Sequence, residues 1–372
     1  MPLTATDRAW MARALNRARL GEIGTYPNPR VGCVIVRDGE VLAEGHHAVC
    51  GGPHAEVAAL EALSAHDASL KEATAYVTLE PCSHYGRTPP CADRLIESEI
   101  GRVVVGMQDP DPRVAGSGIA RLREAGITVD VLEAFAAGRW LNRRFLSSLE
   151  RGRPWVVLKC AVSDDGFMDP PRQPGQQASL AITAPALRRL THRWRAEEGA
   201  ILVGAGTLAT DDPALDVRES DGPHPLVVVL DPNGRTSPGS KVYQSGRPTL
   251  VIGGPPSLPP HVERVPPKGG TDALDTALIA LQERSVRSVL VEGGAETLKA
   301  CLASGRWDEF RECRSPRPTG GGLRAVLPGP TEQRCRGWHP FGADTIRYFV
   351  HPDSASWAGD APPPTLSVPL PS

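Results

Sequence analysis

The sequence predicts two successive α/β domains, each a sheet flanked by helices. Three observations carry this expectation. Short apolar runs of strand length alternate with longer stretches that are apolar at helical spacing. A charged segment at Leu149–Pro154, containing Gly152 and Pro154, separates two such series. At 372 residues and 40% apolar content the chain is long enough for two cores of ordinary size. Together they place one domain at residues 1–148 and a second at 154–352. The Ala/Pro/Ser-rich tail, 353–372, reads as disordered.

Residues 6–20 carry Asp7, Arg8, Arg13, Arg17 and Arg19 opposite Trp10, Met11, Ala14, Leu15 and Ala18, an amphipathic helix. Val31–Val36 is a buried strand, and Asp38-Gly39 turns it into a hairpin with Val41–Glu44. His54–Leu63 is helical, with Val57, Leu60 and Leu63 at core spacing. Strands follow at Ala75–Leu79, Val103–Val105 and Ile127–Leu132, with helices at Cys91–Ser98, Ile119–Ala125 and about Glu133–Leu149. The second series has strands at Trp155–Ala161, Ala200–Val203, Leu226–Leu230, Thr249–Ile252 and Ser288–Val291. Its helices fall near 184–197, 272–284 and 295–303; 168–178 and 254–270 are loops rich in Pro, Gly and polar residues.

A net charge of −2 argues against nucleic acid or an anionic membrane as the main partner. Eight scattered cysteines in a chain of this size point to a reducing, cytoplasmic setting. The N-terminus shows no apolar signal core, and no apolar run is long enough to span a bilayer.

Pro53-His54-Ala55-Glu56, Glu80-Pro81-Cys82 and Cys91, eight residues further on, form the most informative set. One imidazole and two thiolates give Zn²⁺ three ligands, His54, Cys82 and Cys91, and leave a position for water. Such a water loses its proton near neutral pH. Glu56, two residues after His54, is then free to carry protons, the arrangement of a zinc deaminase. The Cys pair is wider than the P-C-x-x-C of that signature. The competing readings are a structural zinc site, with Cys50, His47 or His84 as fourth ligand, and two buried free cysteines. A helix opening at His54 and another at Cys91 favour thiolates at one metal.

Beyond these residues the first half resembles the bifunctional deaminase–reductase family of riboflavin biosynthesis. Pro27-Asn28-Pro29, Val31-Gly32-Cys33-Val34-Ile35-Val36, Met107-Gln108-Asp109-Pro110 and Val114-Ala115-Gly116 carry the likeness. So does the run from Thr78 to Cys91, Thr-Leu-Glu-Pro-Cys-Ser-His-Tyr-Gly-Arg-Thr-Pro-Pro-Cys, which has the family's own Cys spacing. The resemblance implies an N-terminal cytidine-deaminase-like αβα sandwich and a C-terminal dihydrofolate-reductase-like α/β domain. It implies hydrolytic deamination of 2,5-diamino-6-(5-phosphoribosylamino)pyrimidin-4(3H)-one, then NADPH-dependent reduction of the ribosyl group to ribityl. It also implies Zn²⁺ and NADPH as cofactors, a small pyrimidine nucleotide as partner, and a homo-oligomer. Substrate positions carried over to the first domain are Asn28, His47, His84 and Arg87. Asn28 is suited to a carbonyl/N–H edge and Arg87 to a phosphate.

In the second half the matching pieces are Arg193-Trp194-Arg195-Ala196, Ala200 to Gly204, Thr207, Asp211-Asp212-Pro213, Leu215, Arg218 and Val291-Glu292-Gly293-Gly294. Ser179, Arg195, Leu215, Arg218 and Glu292 align with substrate positions. Ala161, Thr207, Asp211, Gly293, Gly294, Ala295 and Glu296 align with cofactor positions. Gly204-Ala205-Gly206-Thr207-Leu208-Ala209 fits a dinucleotide fingerprint, but Asp212-Pro213 interrupts the long helix that motif must open. Ala181 stands where the family has Trp. The segment Arg311–Gly322, rich in Arg, Pro and Gly, is not expected to be a central strand. An active deaminase with a weak or inactive reductase, a nucleoside or tRNA deaminase, and a non-enzymatic zinc scaffold are the alternatives.

Overall fold

The computed structural model describes residues 3–63, 69–85, 89–132, 134–173, 181–267, 270, 272–329 and 334–358. Two compact units divide between Arg151 and Gly152, with Trp357 belonging to the first.

The first unit runs α1 (Ala5–Arg19), β1 (Gly32–Arg37), β2 (Glu40–His46), α2 (Ala55–Glu61), β3 (Thr74–Val77), α3 (Cys91–Glu97), β4 (Arg102–Val105), α4 (Ser117–Glu124), β5 (Thr128–Val131), α5 (Ala136–Leu141) and α6 (Arg143–Glu150). Among the described residues its sheet has the order β2-β1-β3-β4-β5. β1 is antiparallel to both neighbours, and β3, β4 and β5 are parallel. Strand alternation sends Cys33 and Ile35 to a core shared with Ala55, Ala59, Ala92, Leu95, Ile119 and Leu122 of α2, α3 and α4. Val34 and Val36 face the opposite core, against Met11 and Ala14 of α1. Both faces are covered, which is why β1 reads as an unbroken apolar run. This is the expected αβα sandwich.

α1 is fixed at its start by a capping box between Thr4 and Asp7. The buried Asp7 carboxylate also accepts from Tyr76 Oη at 2.9 Å and Arg102 Nη1 at 2.7 Å, tying the helix to β3 and β4. The helix expected over 133–149 is two helices, broken at Asn142. Its side chain takes the Arg30 N–H at 2.8 Å and donates to the Arg30 carbonyl at 3.0 Å, anchoring the loop that carries Asn28.

The second unit contains β6 (Trp155–Val162), β7 (Phe167–Asp169), α7 (Pro185–Glu197), β8 (Ala200–Gly204), α8 (Ala205–Asp211), β9 (Leu226–Asp231), α9 (Lys241–Gln244), β10 (Thr249–Gly253), β11 (Val262–Val265), α10 (Ala273–Glu283), β12 (Ser288–Val291), α11 (Ala295–Ala303), β13 (Glu309–Arg314), β14 (Leu323–Arg324), β15 (Arg334–Phe341) and β16 (Asp344–Val350). The main sheet has the order β11-β10-β9-β8-β12-β6-β13-β16-β15 among the described residues. β11 to β13 are mutually parallel, whereas β16 is antiparallel to both its neighbours. Adjacent parallel strands β8, β12 and β6 therefore end on one side of the sheet, where open α/β sheets place ligands.

The expectation for Arg311–Gly322 needs correction. Its first residues lie in β13, a strand between β6 and β16, and Arg311 is 1% exposed. The charges there are matched inside the protein. Arg311 Nε donates to Glu309 at 2.8 Å, Nη2 lies 3.7 Å from Glu198, and the guanidinium sits 4.6 Å from the Trp194 ring centroid. Glu312 is bracketed by Arg314 and Arg347 at 2.9 and 3.2 Å. Paired charges are tolerated in a sheet interior where lone ones are not. Pro316 and Pro318 fall after the strand, where no ladder bond is lost. A second difference is α12 (Pro352–Ala358), which occupies the start of the stretch read as disordered and buries Ala355 and Trp357. β11 also stands inside a segment read as a loop, and β7 overlaps the start of the other.

Candidate active site

Local folding brings the three candidate metal ligands together. His54 is the N-cap residue of α2, with extended backbone and no capping bond from its ring. Cys91 is the first residue of α3, after Pro90. Cys82 lies in the loop leaving β3, and its sulfur accepts the Cys91 N–H at 3.3 Å. His54 Nδ1 stands 3.2 Å from Cys91 Sγ and 3.6 Å from Cys82 Sγ. All three ligand atoms lie within 4.8 Å of one another. A tetrahedral zinc with bonds of about 2.0–2.1 Å to nitrogen and about 2.3 Å to sulfur requires N···S separations of about 3.6 Å. The donor set fits the ion.

Electrostatics point the same way. A hydrogen bond from Cys91 leads the causes that draw the Cys82 thiol down, with His54 assisting against burial. The same pairing, with burial, pushes Cys91 up. Two thiols this close oppose each other's ionisation, and a divalent cation between them would stabilise both thiolates. Among the described residues no fourth His, Cys, Asp or Glu joins the group. Cys50 and His84 are exposed, and His47 turns Nδ1 to the Pro53 carbonyl at 2.9 Å. Three protein ligands with an open position are the pattern of a catalytic site.

Glu56 is in the first turn of α2 and 3% exposed, with Cys82, His54 and Cys91 as its electrostatic neighbours. Burial, followed by Cys82, pushes its carboxyl up to about 7. A carboxyl that exchanges protons near neutrality beside the metal position suits general acid–base work. His47 Nε2 faces the Asn28 amide at 3.3 Å, and its ring stands edge-on to His54 with centroids 5.5 Å apart. Asn28 and His47 therefore border the cluster. His84 is on the exposed side of the same loop, and Arg87 lies outside the described residues. Sequence reasoning missed Asp109, whose carboxyl burial pushes up to about 6 and which feels the charge of His84. Its only signal was the Met107–Pro110 match.

In the second unit the structure joins Arg195 and Glu292. Arg195 Nε and Nη2 donate to the two carboxylate oxygens at 2.6 and 3.0 Å, and Nη1 donates to the Asp216 carbonyl at 2.9 Å. Against the upward push of burial, Arg195 holds Glu292 below the usual carboxylate range. Lys159 on β6 also acts on Glu292 and was not singled out from sequence. Leu215 is buried at φ 50°, a strained value for a non-glycine residue. Arg247 clamps the carbonyls of Ala214 and Leu215. Arg218 is exposed and pairs with Asp216, and Ser179 lies outside the described residues.

The cofactor positions gather at the ends of β6, β8 and β12. Ala161 is on β6, and Gly293-Gly294 follow β12, with Ala295 and Glu296 opening α11. A Cβ on Gly293 would meet Val203 Cα at 2.6 Å, and one on Gly294, at φ 43°, would stand 3.0 Å from Thr207 Oγ1. That hydroxyl is buried with no partner among the described residues. A backbone cradle with an orphaned donor fits a bound phosphate group such as that of NADPH. Asp211 instead meets Arg172 at 2.6 Å, and Glu296 is exposed beside Lys299. α8 ends after seven residues at Asp212, so the fingerprint helix is indeed cut short.

Comparison with known proteins covers both halves. The family described as "Cytidine and deoxycytidylate deaminase zinc-binding region" matches residues 4–107, and "RibD C-terminal domain" matches 154–346. The riboflavin biosynthesis protein RibD of Escherichia coli K12 is 37% identical over 365 residues, covering 93% of this chain and 97% of that protein. The crystal structure of a diaminohydroxyphosphoribosylaminopyrimidine deaminase/5-amino-6-(5-phosphoribosylamino)uracil reductase from Thermotoga maritima matches with a TM-score of 0.81 at 34% identity, over 93% of this chain and 99% of that one. Acinetobacter baumannii RibD matches with a TM-score of 0.80 at 34% identity, with the same coverage.

Proposed function

This chain belongs to the bifunctional deaminase–reductase family of riboflavin biosynthesis, and from that premise we propose which of its residues carry each reaction. It is a zinc-dependent deaminase and an NADPH-dependent reductase. We assign deamination to residues 1–148 and reduction to 154–352. The substrate is 2,5-diamino-6-(5-phosphoribosylamino)pyrimidin-4(3H)-one, in line with the activity named for the Thermotoga relative. Water replaces the 2-amino group, which leaves as ammonia. The ribosyl group of that product is then reduced to ribityl. A nucleoside or tRNA deaminase does not account for relatives that match across both halves.

The single observation that carries the deaminase assignment is the His54–Cys82–Cys91 cluster with buried Glu56 beside it. Zinc, when bound, lowers the pKa of the attacking water. His54, Cys82 and Cys91 would hold the ion. Glu56 takes the water proton and returns it to the ring and the departing amine. Asn28 and His47 orient the pyrimidinone, with His84 and Arg87 toward the phosphate. In the reductase, NADPH when bound would supply the hydride. Gly293, Gly294, Ala295, Glu296, Thr207, Ala161 and Asp211 would hold the cofactor, while Ser179, Arg195, Leu215, Arg218 and Glu292 contact the substrate.

We further propose a cytoplasmic homo-oligomer that binds neither nucleic acid nor membrane. The net charge of −2 argues against nucleic acid as the main partner, and no helix among the described residues is long and apolar enough to cross a membrane. A coupled assay tests the function: ammonia and NADPH are followed together on the pyrimidinone nucleotide, with and without a chelator. The expected result is ammonia release that the chelator abolishes, followed by NADPH oxidation that requires the deaminated product. Turnover of cytidine or tRNA, with none on the pyrimidinone, would overturn the assignment.

A further inference from the structure

Glu80 is 4% exposed and is not among the candidate ligands. Its carboxylate nevertheless accepts four backbone N–H groups. Oε2 takes those of Asp109 at 3.1 Å and Gly116 at 2.9 Å, and Oε1 takes those of Gly118 at 2.9 Å and Ile119 at 3.2 Å. A carboxylate offers about four lone-pair sites, so none is left for water or substrate. The donors all belong to the β4–α4 connection and the first turn of α4.

The same neighbour grips the main chain on either side of Glu80. The Glu80 N–H donates to Met107 O at 3.0 Å. A Cβ on Gly118 would lie 1.9 Å from the Pro81 carbonyl oxygen, so α4 approaches this backbone as closely as only glycine permits. Ser83 Oγ lies 2.6 Å from Ser117 Oγ, just past the cysteine. Cys82 is thus held between two residues pinned to one helix start, while its carbonyl accepts the Ala92 N–H at 3.1 Å.

We propose that Glu80 is the positioning residue of the metal site: by fastening the Glu80–Ser83 segment to the start of α4, it sets the distance of Cys82 Sγ from His54 and Cys91. No proton passes through it. The role rests on the reading that these three residues hold zinc.

The test is Glu80→Gln, with Gly118→Ala as a second variant that strains the same attachment from the backbone side. Gln keeps the shape but turns an N–H₂ group toward two amide donors, so two of the four lose their acceptor. Alanine presses on Pro81 O and stands 3.3 Å from Glu80 Oε1, but leaves the carboxylate and its four N–H donors chemically in place. Zinc affinity is read by chelator competition, and site geometry by the thiolate-to-cobalt absorption of the Co²⁺-substituted protein. The expected result is affinity lower by about 10–100-fold, the usual effect of losing a residue that orients a ligand. A changed cobalt band is expected in both variants, with lower kcat for ammonia release at unchanged KM. Reductase turnover on the deaminated product stays at the wild-type level, and circular dichroism with denaturant unfolding reports the folding of the first unit; if Glu80→Gln fails to fold, Gly118→Ala alone decides. Wild-type zinc affinity with an unchanged cobalt band overturns the positioning role. A wild-type protein that binds no zinc overturns the underlying metal assignment, and the role of Glu80 with it.

Discussion

Glu56→Gln removes one proton carrier and little else. The side chain is 3% exposed, and Gln fills the same volume on the same turn of α2. Burial and Cys82 place the Glu56 carboxyl near neutrality, where a group is able both to take a proton and to give it back. An amide does neither. General acid–base groups contribute about 10²–10⁴-fold to rate. At roughly 1.4 kcal/mol per decade, the substitution raises the barrier by about 2.7–5.4 kcal/mol. The assay is ammonia release at saturating pyrimidinone nucleotide and pH 7, with zinc measured on the same sample. The expected outcome is a rate lower by about 10²–10⁴-fold, unchanged zinc content, and normal NADPH oxidation when the deaminated product is supplied. Unchanged ammonia release with zinc retained would refute the proton-carrying role.

Asp7→Asn tests the network beneath α1. Burial opposes it, yet hydrogen bonds from Arg102, Thr4 and Tyr76 hold Asp7 well below the usual carboxylate range. Its contribution is therefore complete above the ordinary Asp value near 4 and fades as pH falls toward the folded value. Denaturant unfolding should show a deficit of about 1–3 kcal/mol at pH 7 that narrows below about pH 4; a deficit independent of pH contradicts this. Arg311→Met removes the buried guanidinium that donates to Glu309 at 2.8 Å and should cost about 3–5 kcal/mol in unfolding experiments, with a loss in Arg311→Met/Glu309→Gln smaller than the two single losses combined. Glu292→Gln breaks the two-bond pairing with Arg195 and should lower reductase kcat/KM by up to about 10²-fold, leaving ammonia release unchanged.

The convergence of the candidate metal ligands was legible because their chemistry fixes local spacing. His54 and Glu56 lie within one helical turn, and Glu-Pro-Cys follows closely on a strand, so each piece carries its signal in a few residues. The sheet of the first unit was legible for a similar reason: β1 is buried on both faces and contains hardly anything polar. What stayed hidden depends on partners remote in sequence. β13 looks unfit for a sheet interior until Glu198 and Trp194 of the α7 region and Arg347 of β16 are set beside its arginines and glutamates. The break at Asn142 follows from its bonds to Arg30, more than a hundred residues earlier. Glu80 was visible as part of a motif, but its role depends on amides between Asp109 and Ile119. The reductase positions were the least legible, since glycines and an isolated Thr acquire meaning only where β8 and β12 run side by side.

Metal analysis of wild-type protein and of Cys91→Ser, each paired with an ammonia assay, bears most directly on the zinc assignment. One zinc per wild-type chain is predicted, with metal and ammonia release lost together in the variant while NADPH oxidation of the deaminated product persists. Full zinc content in Cys91→Ser, or undiminished ammonia release from a wild-type chain stripped of metal, would contradict it.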